Sequence, residues 1–216
     1  MTASSSTSDP AFAALAAAIG ACRICRERPA GAPLPHEPRP VFHAAPSARL
    51  IIASQAPGTR VHASGLPFDD ASGDRLRDWM GVTRDQFYDR ARIAFLPMGF
   101  CFPGQDAKGG DLPPRRECAP AWRERAMASL SQARAILLVG SYAQDWHLRR
   151  AGLARRGESL RARLARWREI YAASAPRLIV LPHPSWRNNA LIAGLPGFEA
   201  ELLPVVRREV AAATKA

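Results

Sequence analysis

Four short apolar runs punctuate the chain: Ala48 to Ala53, Arg92 to Pro97, Ala135 to Gly140 and Arg177 to Leu181. Each gives way to a proline, a glycine or a polar loop. Runs of that length between turn signals suit buried strands better than helices. The intervening stretches carry apolar residues at helical spacing. Asp9-Pro10 has the chemistry of a helix start and leads an alanine-rich run to Gly20. Leu76, Trp79 and Met80 mark a helix after Ser72, and Thr83 caps a short one reaching Tyr88. Pro120 suits the first turn of a helix to about Gln132, and another begins at Ser141. Gly157 to Tyr171 reads as one basic helix with Leu160, Leu164, Trp167 and Tyr171 on a stripe, and a last helix spans Phe198 to Ala213. Six prolines between Arg26 and Pro46 forbid a helix and predict an extended strap. Strands alternating with helices predict an α/β fold, a three-layer α/β/α sandwich around a four-stranded parallel sheet. Residues 10–213 form one domain in this reading, after a disordered Ser/Thr-rich start over residues 1–9.

The densest chemistry follows the first apolar run. From Ser54 to Gly73 the chain reads SQAPGTRVHASGLPFDDASG, a loop leaving a strand end, which is where open α/β sheets hold ligands. It gathers an amide (Gln55), an imidazole (His62), an aromatic ring (Phe68) and the carboxylates Asp69 and Asp70.

Charge narrows the partners. A net charge of +11, almost all of it arginine, favours polyanions, nucleic acid first. The longest apolar stretches are too short for a membrane span, so no membrane partner is expected. The start lacks a basic n-region, which predicts a cytoplasmic protein with reduced thiols. Its four cysteines are spaced C-x2-C, then 75 residues, then C-x16-C. Two chelating pairs suit four thiolates around one metal centre, a structural zinc or an iron-sulfur cluster, and spacing leaves that choice open.

Taken together, these motifs resemble the uracil-DNA glycosylase superfamily, in particular its iron-sulfur branch, family 4. The resemblance runs from Cys22 to about Pro204. Cys22, Cys25, Cys101 and Cys118 match the branch's ligands to a four-iron four-sulfur (4Fe-4S) cluster. Ala56, Pro57, Gly58, Gly65, Pro67, Phe68 and Gly73 match its G-E-A-P-G motif and the stretch after it, and His183-Pro184-Ser185 matches its H-P-S motif.

The resemblance implies an enzyme that hydrolyses the bond between a deaminated base and deoxyribose in DNA, and a monomer is expected. A flipped base stacks on Phe68 beside Ala56 and Pro57, and His183 stabilises the departing base. Ser185, Arg187 and Asn188 contact the DNA, with Trp186, Arg187, Asn188 or Asn189 filling the gap the base leaves. Two positions depart from the family. Gln55 stands where a carboxylate positions the attacking water, so His62, Asp69 or Asp70 is the expected substitute. Pro97 stands where an asparagine reads the edge of uracil. Two further readings suit the same residues: a module that grips abasic or damaged DNA without turnover, and a metal-stapled hydrolase of nucleotide-sized substrates.

Overall fold

A computed structural model describes residues 9–215. In chain order its elements are α1 (Pro10–Gly20), α2 (Ile24–Glu27), β1 (Leu50–Ala53), α3 (Thr59–Ser64), α4 (Ala71–Met80) and α5 (Arg84–Phe87). Then come β2 (Ile93–Phe95), α6 (Cys118–Ser129), β3 (Ala135–Val139), α7 (Ser141–Arg150), α8 (Leu160–Ala165) and α9 (Trp167–Ala172). The chain ends with β4 (Arg177–Leu181), a 3-10 turn (Trp186–Asn188), α10 (Asn189–Ala193), a π-turn (Phe198–Leu202) and α11 (Leu203–Thr214).

All four expected strands form, and they pair in parallel in the order β2-β1-β3-β4. Leu50 sits opposite Ile93 on one side and Ala135 on the other, and Ala135 sits opposite Arg177. Every residue of β1, β2 and β3 is buried. Successive strand side chains point to opposite faces, so burial of all of them requires cover on both sides of the sheet. Helix α11 packs on β1 and β3 with α4 against it, α7 packs on β3, and α8 and α9 pack on β4. Burying Leu50, Ile51 and Ile52, none of which is exposed, contributes roughly 1.5–3 kcal/mol per side chain.

The strand order places β1 and β3 side by side while their onward connections diverge, one to β2 and one to β4. That switch point opens a crevice beyond their carboxyl ends.

Several boundaries differ from those the sequence predicts. The stretch read as a continuous loop contains α3, with Val61 buried and Gly65 ending the helix at φ 74°. The basic segment is two helices, because the backbone turns at Arg166, whose guanidinium reaches Leu153 O and the Glu158 carboxylate. Three of its arginines are bound in ion pairs, Arg163 with Asp145 (2.7 Å), Arg166 with Glu158 and Arg168 with Glu201, and Arg155 just before it pairs with Glu169 (2.7 Å). This charge holds the fold together locally. The expected last helix begins as a π-turn and becomes α-helical at Leu203. The start predicted to be disordered lies outside the described residues except for Asp9, whose carboxylate caps α1 by accepting from Ala11 N at 2.9 Å. Among the described residues, no single helix is long and apolar enough to cross a membrane.

Candidate active site

The crevice holds a cavity of about 390 Å³, a volume suited to a small ring. Gln55, Ala56, Pro57, Phe68, Asp70 and His183 line it, and Ser185, Arg187 and Asn188 reach it from the segment after β4. The sheet sets this up. Hydrogen bonding continues past β1, with Met98 N donating to Ser54 O (2.8 Å) and Gly99 N to Gln55 O (3.0 Å). Gln55 and Pro97 both line the cavity from these adjoining strand ends.

Phe68 is held in a conformation that L-residues rarely adopt, with φ at 54°. Such strain persists only where the surroundings over-determine it. Tyr88 donates its hydroxyl to Pro67 O (3.0 Å) and Phe68 O (3.3 Å), and bare Gly73 leaves room for the Phe68 carbonyl. Phe87 and Phe95 pack against the Phe68 ring at 6.3 and 6.1 Å between centroids, while the side chain also lines the cavity. Asp70 is the N-cap of α4, accepting from Gly73 N at 2.9 Å.

His183 accepts at Nδ1 from Ser185 N (3.2 Å). In the neutral ring that tautomer leaves Nε2 as the N–H donor. Burial pulls the imidazole below its usual pKa, partly offset by the carboxylates of Asp70 and Asp111, so the ring is neutral at pH 7. Asn188 Nδ2 donates to His183 O (2.9 Å) and Ser185 Oγ accepts from Arg187 N (3.4 Å). These bonds shape a tight turn that leaves Trp186 74% exposed beside the pocket mouth.

His62 is not brought to this cavity. One step round α3, Val61 faces the pocket and His62 faces the strap, its ring 4.5 Å from His36 and 5.6 Å from Phe102. It is therefore not placed to activate water in the pocket. Asp69 is ion-paired to Arg84 (2.9 Å) on the outside of the same turn. Asp111, Pro97 and Val41 line the cavity, and only Pro97 stands out in the sequence.

Arg123 underlies the pocket. It is 2% exposed and donates to Leu96 O and Pro97 O, both at 3.0 Å, and to His147 Nε2. Burial beside that cation pulls His147 down to about 2, so the ring is neutral and accepts. The Pro97 carbonyl is thereby turned into the core.

A second, smaller cavity is lined by all four cysteines together with Trp122 and Phe100. Trp122 Nε1 donates to Cys22 Sγ (3.2 Å) and Phe100 N to Cys118 Sγ (3.3 Å). As they stand, no three His, Cys, Asp or Glu side chains among the described residues are close enough to hold a metal ion. The chemistry of the donor set nevertheless suits one. Burial pushes the Cys101 and Cys118 thiols up to about 12, so as thiolates they need a bound cation, and the N–H donors suit sulfur carrying negative charge.

A sequence-family model described as Uracil DNA glycosylase superfamily matches residues 41–203. The chain belongs to the uracil-DNA glycosylase superfamily. The matched span contains the whole sheet and every pocket residue named above. Cys22 and Cys25 lie outside the superfamily match, on the segment that leads into it.

Proposed function

We propose that this protein is a DNA glycosylase that removes uracil, or a related deaminated base, from DNA by hydrolysis. The observation that carries the reading is the convergence of a strained, stacking Phe68, a neutral His183 and the polar groups Gln55 and Asp70 on one cavity at the sheet's switch point. A flipped base stacks on Phe68. As the glycosidic bond breaks, negative charge develops on the base, and the His183 Nε2–H donates to its carbonyl oxygen. Gln55 orients the attacking water by hydrogen bonding. Arg187 and Ser185 lie where the phosphodiester passes, and exposed Trp186 is the wedge that fills the vacated stack. With the Pro97 carbonyl occupied by Arg123, position 97 offers the base no polar atom and selects by shape.

The four cysteines are proposed as ligands of a four-iron four-sulfur cluster, and membership of the iron-sulfur branch is proposed with it. The cluster's contribution is structural, tying Cys22–Cys25 to the loop that carries Cys101 and Cys118. Anaerobically purified protein is expected to be brown, and colourless protein retaining zinc would assign zinc instead.

A second reading, a module that holds abasic or damaged DNA without turnover, draws support from Gln55, which cannot accept water's proton. A panel of oligonucleotides carrying uracil, hypoxanthine or xanthine opposite each partner base separates the two. Release of free base, with alkali-sensitive strands, supports the enzyme. Tight lesion binding without base release supports the module.

A further inference from the structure

We infer that Asp111 supplies the catalytic carboxylate that position 55 lacks, accepting the proton of the attacking water. The inference rests on the glycosylase reading and adds to it a group delivered from a different part of the chain. Residues 104–112 form a small hairpin. Leu112 N donates to Gly104 O (2.9 Å), Gln105 and Asp111 pair across it, and Asp106 Oδ1 closes the tip by accepting from Lys108 N (2.8 Å) and Gly110 N (2.9 Å). The hairpin is seated on the pocket by Gln55 itself, whose Nε2 donates to Leu112 O (3.4 Å). Asp111 therefore arrives beside Gln55, the position where the family motif has its carboxylate.

Its two oxygens are used differently. Oδ1 accepts from Gln105 Nε2 (3.3 Å), which fixes the carboxylate's direction. Oδ2 reaches over Gly58, where a Cβ would lie 3.1 Å from it. Gly58 has an ordinary φ of −84°, so a methyl group there would strain no backbone and would press only on this carboxylate, which would have to give by a few tenths of an ångström. The carboxylate also acts on His183 across the cavity, consistent with its facing the same volume. Asp70, the other pocket carboxylate, has Oδ1 committed to Gly73 N at the start of α4.

The step balances as follows. The water oxygen bonds to C1′ of the deoxyribose and its proton passes to Asp111. The C1′–N bond breaks with its electron pair going to the base, which leaves as an anion held by the His183 N–H.

Single-turnover base release and equilibrium binding to abasic DNA test this on the full-length, cofactor-loaded protein. Asp111→Asn is expected to slow base release by about 10²–10³-fold while abasic-site binding and melting temperature hold. Gln55→Glu in the Asp111→Asn background is expected to recover at least about tenfold of that loss, since it restores a carboxylate to the same neighbourhood. Gly58→Ala, which presses a methyl group on Oδ2, is expected to slow release without unfolding the protein. Wild-type activity in Asp111→Asn would overturn the assignment and leave the glycosylase reading standing. Wild-type protein that releases no base from any substrate would overturn the glycosylase reading and the assignment with it.

Discussion

Replacing Gly73 by alanine tests whether the strained stacking wall is held as described. Gly73 lies in the first turn of α4 and is buried. A Cβ there would intrude on the Phe68 carbonyl oxygen and lie 2.7 and 2.9 Å from the Phe68 carbonyl carbon and Cβ. Phe68 cannot yield freely, because Tyr88 holds its carbonyl and that of Pro67, and α4 cannot retreat without stretching the Asp70 cap. Overpacking of this kind costs about 1–3 kcal/mol. A weakened cap adds about 1 kcal/mol, and a lost hydroxyl bond about 1 kcal/mol more. Alanine's better helix propensity returns about 1 kcal/mol. The expected net loss is therefore about 3 kcal/mol, read as a fall in urea midpoint at unchanged slope. Base release should fall as well, because the aromatic wall moves with the Phe68 backbone. A variant within about 1 kcal/mol of wild type that keeps full activity would refute the claim that Gly73 and Tyr88 hold Phe68 in place.

His183→Ala should slow base release by about 10²–10³-fold with DNA binding retained, the signature of lost transition-state stabilisation; an equal loss in binding would point to a positioning role instead. Stability should fall with acid. Burial is the leading cause that holds His43, His62, His147 and His183 below their ordinary values, so the unfolded chain takes up protons the folded one refuses. This contribution is fully present above about pH 6.5 and is lost as pH falls, with buried His147, held at about 2, alone costing about 1.4 kcal/mol per pH unit below that point. Urea midpoints that do not change between about pH 7.5 and about pH 5.5 would contradict it.

Much of the framework is local and so was legible in the amino-acid order. Strand runs such as Leu50 to Ala53 are apolar at every position because both faces are covered, and capping chemistry at Asp9 and Thr83 marks helix starts. The motif residues Ala56, Pro57, Phe68 and His183 could be found because each lies directly after a strand or within the loop that follows one. The tertiary structure decided what depends on juxtaposition. Which side of α3 meets the cavity is a matter of helix phase within a six-residue turn, and that phase put Val61 inward and His62 outward. The basic segment reads as one helix in sequence, and only the fold breaks it at Arg166 and pairs Arg163, Arg166 and Arg168 with Asp145, Glu158 and Glu201. Asp111 carries no local signal: it is one acidic residue in a Pro/Gly-rich loop, and only the seating of Leu112 on Gln55, 57 positions away in the chain, brings it to the pocket. Backbone hydrogen bonding and apolar burial act between neighbours or along a repeat and leave a pattern in sequence, whereas a carboxylate placed across a cavity by a hairpin leaves none.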